Sequence, residues 1–188
     1  MRMSDLFHHL ISGDRLLLEA VEGLRWGPLT VMFVLLSAWW MKGVAFVAIG
    51  ACGDVRCRRP IPMATMIAAI SVGVGSLVVA VLKESIDRSR PEQAHPAIDA
   101  AVATPGSPSF PSGHTATAFA AAAVVGAFYP RLRWPLYSLA ALVGLSRIYL
   151  GVHFTLDVLA GAILGLSIGL GLVWMGRKGH SLLRARKA

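Results

Sequence analysis

The stretch MATMIAAISVGVGSLVVAVL, residues 63–82, runs for twenty residues without a charge and then meets Lys83. As a helix it is about 30 Å long, the thickness of a bilayer's hydrocarbon core. No two-residue alternation of apolar and polar side chains competes with that reading. The segment is predicted to be a membrane-spanning helix.

Four further apolar stretches flank it. One runs from Leu29 to Cys52, broken only by Lys42; the others run from Thr115 to Tyr129, from Trp134 to Leu145 and from Phe154 to Met175. The two middle ones reach spanning length if their polar ends, Ser112 to His114 and Ser146 to Tyr149, belong to the same helices. Residues 6–26 are different, with Asp14, Arg15, Glu19, Glu22 and Arg25 among leucines. That segment is too charged to span. Leu17, Val21 and Leu24 share a helical face, which predicts an amphipathic helix lying in the interface over residues 1–27. The expected fold is all-α: an integral-membrane bundle of five transmembrane helices, or six if Lys42 marks a turn, with that N-terminal amphipathic helix. At 188 residues, 55% of them hydrophobic, the chain is read as one membrane-embedded domain, 1–188. The mean hydropathy of +0.63 excludes an ordinary soluble protein of this length.

Eighteen Lys and Arg face ten Asp and Glu, a net charge of +8. The charges sit in short clusters between apolar runs, not on one face of a soluble fold. That favours a bilayer and an anionic lipid substrate as partners and argues against nucleic acid. Oligomeric state is not readable from this pattern. Arg56, Arg58, Arg59, Arg131, Arg133, Arg177, Lys178, Arg184, Arg186 and Lys187 would lie on one side of the membrane. Lys83, Arg88, Arg90 and Arg147 would lie on the other. The larger set is assigned to the cytoplasm, so the smaller faces the periplasm or exterior. Cys52 and Cys57 then lie in a reducing compartment and are expected free; they match no zinc spacing. No cleaved signal peptide is expected at the N-terminus.

The smaller set keeps unusual company. Lys83 ends one span and is followed after six residues by Arg90-Pro91. Pro111-Ser112-Gly113-His114 opens the next. Ser146-Arg147 ends the one after, with His153 five residues on and Asp157 four beyond that. Three helix ends would thus bring three cations, two histidines and a carboxylate to one membrane surface. Lys83, Arg90 and Arg147, with the backbone amides and hydroxyl of Ser112 and Gly113 at a helix N-terminus, suit a phosphate dianion. His153 and Asp157, at i and i+4, would share a helix face, the carboxylate orienting a nucleophilic imidazole. His114 would be the general acid. Each piece has a plainer explanation alone. Cations at helix ends snorkel, and Arg88 is read that way. His8, His9, His95 and His180 are read as satisfied or solvated, and Trp39, Trp40 and Trp174 as interface or core aromatics.

Taken together, Lys83-x6-Arg90-Pro91, Pro111-Ser112-Gly113-His114 and Ser146-Arg147-x5-His153-x3-Asp157 resemble the three-part signature of the type 2 phosphatidic acid phosphatase superfamily. The motif region is residues 83–157. The resemblance implies a phosphohistidine on His153, with Asp157 as its partner and His114 as acid. It also implies phosphate contacts from Lys83, Arg90, Ser112, Gly113 and Arg147, with no metal and no cofactor. It points to a bacterial lipid phosphatase of the inner membrane, with the first span that many members carry not expected among these residues. The candidate lipids are undecaprenyl pyrophosphate, phosphatidylglycerophosphate, phosphatidate and a lipid A phosphate. Two rivals stay open: a vanadate-holding haloperoxidase, and a phospholipid or phosphate transporter using the cationic pocket without hydrolysis.

Overall fold

The computed structural model describes residues 13, 14, 16, 18–95 and 98–185, with side chains as far as residue 178. Among them every regular element is helical: α1 (Gly27–Leu36), α2 (Val44–Arg56), α3 (Met63–Ile86), α4 (Pro91–Ala94), α5 (Gly113–Phe128), α6 (Arg133–Tyr149) and α7 (Thr155–Ala185). Short 3₁₀ turns lie at Trp39–Met41 and Pro130–Leu132.

Helix α5 is the hub. Its sequence, GHTATAFAAAAVVGAF, is apolar and small-residued all round, and Ala116, Ala118, Ala120, Ala121, Ala122, Val124 and Val125 are buried. A helix that is apolar on every face belongs at the centre of a bundle. Helices α3, α6 and α7 pack around it, and α7 comes closest. Along α7 a row of glycines four residues apart, Gly161, Gly165 and Gly169, faces the α5 backbone. A Cβ on Gly161 would stand 2.7 Å from the Ser112 carbonyl oxygen, and one on Gly165 would overlap the Ala116 carbonyl oxygen. With little hydrophobic drive between helices inside a bilayer, such close backbone contact is how they associate.

By length and apolarity α3 and α7 suffice to cross a membrane; α1 and α5 are apolar but shorter. Helix α3 covers the predicted 63–82 and continues to Ile86, while α5 and α6 take in His114 and Ser146–Tyr149 as expected. The stretch from Leu29 to Cys52 differs: it is not one helix. Helix α1 stops at Leu36, a 3₁₀ turn follows, and Gly43 at φ 110° redirects the chain into α2. The turn falls at Lys42. At about 15 Å, α1 is too short to cross. It is pinned to the end of α6, where the Trp26 amide donates to the Tyr149 hydroxyl (3.0 Å) and the Phe33 ring lies tilted against the Tyr149 ring.

Of the N-terminal segment, residues 18–22 are helical. Leu18 is buried against Ile98, Ile148, Phe154 and Val158, with Val21 beside it. Leu24, predicted to share that face, is 68% exposed, because the helix has already given way to a turn at Gly23. Leu17, His8 and His9 lie outside the described residues, as does the side chain of His180. At the end of the bundle away from α5's N-terminus, buried Asp54 accepts from the Thr65 amide (2.9 Å), the Thr65 hydroxyl (2.8 Å) and Tyr129 (2.7 Å). That ties α2 and α3 to the end of α5, with Arg59 over the Tyr129 ring. Cys52 and Cys57 are free and exposed.

The glycine row gives a direct test. Gly165→Val should lower the thermal unfolding midpoint in detergent, by the ~1–3 kcal/mol typical of overpacking or more, because rigid backbone must move. Gly171→Ala, with nothing within 4 Å of the added Cβ, should leave it unchanged. Equal midpoints for the two variants would contradict the packing described.

Candidate active site

The C-termini of α3 and α6 and the N-termini of α5 and α7 meet at one end of the bundle. They enclose a cavity of about 240 Å³ walled by Lys83, Arg90, Gly113, His114, Arg147 and His153, with Lys42, Ser76 and Ser107 completing its polar lining. Drug-sized ligands occupy pockets of ~300–1,000 Å³, so the cavity suits a headgroup and not a lipid chain. No carboxylate is among its lining residues.

Each cation reaches the cavity by a different route. Arg90 is 2% exposed and anchored by its guanidinium to the Ser107 carbonyl (2.8 Å) and the Val152 carbonyl (2.8 Å). Its backbone begins α4, which Pro91 starts and Gln93 caps. Lys83 leaves the last turn of α3 and donates to the Pro108 carbonyl. Arg147, in the last turn of α6, is 5% exposed, and its Nε has no hydrogen-bond partner. A buried charged N–H without an acceptor is costly, and it marks where an anionic oxygen would sit.

His153 does not lie on the α7 helix, as its spacing to Asp157 predicted. It sits in the turn before Thr155, where the Arg147 carbonyl accepts from the amides of Val152 and His153. The pairing survives the change: His153 Nδ1 is 3.4 Å from Asp157 Oδ2, leaving Nε2 as the free nitrogen. Burial pushes the His153 imidazole down to about 4, against the upward pull of its bond to Asp157 and helped by nearby Arg147. The ring is therefore neutral at neutral pH.

Asp157 is fully buried behind His153 and is held from several sides. Its Oδ2 also accepts from the Phe154 amide (3.0 Å) and from Ser109, and Arg88 Nη1 donates to its Oδ1 at 2.6 Å. Arg88 is thus no snorkelling surface cation. Its other nitrogen bonds Asp14 (3.1 Å), and Asp14 accepts in turn from the Thr155 and Leu156 amides at the start of α7. A carboxylate from far away in the chain so acts as the cap that α7 lacks locally. Ser112 is tied into the same network. Its amide donates to the Asp157 carbonyl (3.0 Å), its hydroxyl accepts from Thr115 (2.9 Å), and it is not among the cavity's lining residues. Gly113 and His114 are.

The sequence reading did not single out Lys42, Asp14, Ser107 or Ser109 for the site. Lys42 had a signal, a lone charge in an apolar run. The serines and Asp14 had none, because they act through loop geometry and across the fold. Among the described residues no three His, Cys, Asp or Glu side chains gather as metal ligands would.

Fold and cavity together define a helical membrane bundle with a cationic, histidine-bearing pocket at one end. Residues 64–180 match the family model of the PAP2 superfamily, and the chain belongs to that superfamily. It aligns with decaprenylphosphoryl-5-phosphoribose phosphatase of Mycobacterium tuberculosis at 38% identity over 55% of this chain and 56% of that one. With phosphatidylglycerophosphatase B of Bacillus subtilis the identity is 39% over 50% and 49%. The chain thus spans about half the length of these curated relatives. Its fold is similar to the crystal structure of a transmembrane PAP2-type phosphatidylglycerolphosphate phosphatase from Bacillus subtilis. The TM-score there is 0.76 at 29% identity, covering 90% of this chain and 87% of that one. It is also similar to Aquifex aeolicus LpxE, with a TM-score of 0.62, 27% identity and coverage of 84% and 92%.

Proposed function

We propose that the chain is an integral-membrane lipid phosphatase that hydrolyses a phosphomonoester or diphosphate through a histidine nucleophile, without a metal. The observation that carries the reading is His153 with Asp157 behind its Nδ1, lining a cavity that four cations also line. The phosphoryl group lies among Lys83, Arg90 and Arg147, its oxygens meeting the unpartnered Arg147 Nε and the Gly113 amide. These fixed cations stabilise the charge of the transition state. His153 Nε2 attacks phosphorus in line, and Asp157 balances the imidazolium that forms. His114 protonates the departing oxygen. Water then attacks the phosphohistidine, releasing phosphate and neutral His153. The named relatives are a decaprenylphosphoryl-5-phosphoribose phosphatase and a phosphatidylglycerophosphatase, and one matched structure is a phosphatidylglycerolphosphate phosphatase, which supports a lipid substrate. A transporter would need the cations but not a carboxylate-backed histidine. We further propose a bacterial inner membrane location, with the cavity facing the periplasm or exterior. The arginine-rich end around Arg58 and Arg131 supports this.

Phosphate release from phosphatidylglycerophosphate, phosphatidate and a polyprenyl diphosphate, measured on the detergent-purified chain with EDTA present, tests the reading. Release should persist with EDTA, and His153→Ala should lower it by about 10⁴-fold or more. An undiminished rate in that variant, or activity lost to EDTA and restored by magnesium, would contradict it. For orientation, Gly106→Cys in a Cys52→Ser, Cys57→Ser background should react with an impermeant thiol reagent in intact cells. Labelling only after the cells are opened would reverse the assignment.

A further inference from the structure

Lys42 is the one charge between Gly27 and Gly53, in a run that is otherwise apolar. A lysine within an apolar run that enters a bilayer is costly, so its placement calls for a reason. The chain breaks to present it. Helix α1 ends, a 3₁₀ turn intervenes, and the left-handed Gly43 seats against Val72 of α3. Val72 lies eleven residues before Lys83 on the same helix, about 16 Å further from the site end. From that depth the Lys42 side chain reaches up into the cavity, where its Cε comes 3.8 Å from the position of a Cβ built on Gly113. Asp157 and Asp14 are engaged by Arg88, and among the described residues no ion pair involves Lys42. The side chain is exposed, unlike Arg90 and Arg147.

Four cations line this cavity, and they divide by position. Arg147 and Arg90 join the His153 turn, where the phosphoryl group is attacked. Lys42 stands against Gly113, beside His114, with Ser76 of α3 also in the wall. We propose that Lys42 forms a second anion subsite on the leaving-group side of the cavity, and that it favours lipids whose leaving group is itself a phosphate. This rests on the phosphatase reading. His153 Nε2 bonds to the terminal phosphorus as the bond from that phosphorus to the bridging oxygen breaks. The electron pair stays on that oxygen, and the lipid monophosphate leaves with its charge balanced by the Lys42 ammonium. Water then displaces the histidine, forming orthophosphate and giving up its proton to solvent through His114. Lys42 thus supports an anionic leaving group where a monophosphate ester depends on the proton from His114.

The test uses the full chain in detergent, with methylenediphosphonate and methylphosphonate as non-hydrolysable ligands, and farnesyl diphosphate and farnesyl phosphate as substrates. Wild type should bind the diphosphonate about tenfold more tightly than the monophosphonate, the scale of one charge-assisted hydrogen bond. Lys42→Met and Lys42→Gln should both abolish that preference and leave methylphosphonate binding in place, which also reports an intact fold. Lys42→Arg should keep it. In turnover, the same two variants should lose about tenfold in kcat/KM for farnesyl diphosphate and little for farnesyl phosphate. Equal losses for both ligands, or none for either, would overturn the subsite. If wild type hydrolyses neither farnesyl lipid nor the phosphatidylglycerophosphate and phosphatidate used above, the phosphatase reading fails, and the phosphonate binding still decides the role of Lys42.

Discussion

A fully buried carboxylate, Asp157, is the constraint on which the rest of this end of the molecule depends. An ionised side chain away from water is tolerable only if donors surround it. Here four donors arrive from three parts of the chain: the His153 ring and the Phe154 amide, the Ser109 hydroxyl and the Arg88 guanidinium. The Asp157 carbonyl also takes the Ser112 amide, so the residue that orients the histidine also joins the starts of α5 and α7. Satisfying one charge therefore fixes the relative position of the helix ends that wall the cavity. Arg88 extends the network to Asp14, and through it the N-terminal segment holds the first amides of α7.

This polar network can be held in register because the helices beneath it cannot slide freely. The glycine row of α7 lies against the carbonyls of α5, and a contact that close admits little variation in depth or rotation. At the far end, Asp54 with Thr65 and Tyr129 fastens the same bundle again. The cavity sits between these fixed points, and its cations are spread over several elements. One of them, Arg147, keeps a buried Nε with no acceptor. A site preorganised in this way meets an anion without rearranging, which is the condition under which electrostatic stabilisation is strongest.

Much of this was legible in the sequence, for physical reasons that differ by residue. Uncharged residues 63–82 state a spanning helix because a bilayer leaves the backbone no other option, and α3 follows. Lys83, Arg90, His114, Arg147, His153 and Asp157 stood out in the sequence because charge at the end of an apolar run needs a purpose, and six such residues in short spacings point to a shared one. The structure gathers five of them in the cavity wall and sets Asp157 behind His153. What the sequence does not reveal about Ser112 is that its amide, at the N-cap of α5, is taken by the Asp157 carbonyl of a neighbouring helix. Asp14 was invisible as a site residue, since its contact with Thr155 joins positions 141 apart. The break at Lys42 was weighed as a turn but set aside because the piece after it is too short to cross, a length argument that cannot see that Gly43 adopts a backbone angle open to glycine.

The central claim is that phosphorus passes through a covalent bond to His153. The most direct measurement is to mix the purified chain with a lipid carrying a radiolabelled terminal phosphate and quench within milliseconds in alkali, where phosphohistidine survives. Peptide mass spectrometry then locates the label. The account predicts a phosphoryl group on His153, formed and lost at rates consistent with turnover and absent from His153→Ala. Turnover without labelled protein, or a label carried by another residue, would contradict it.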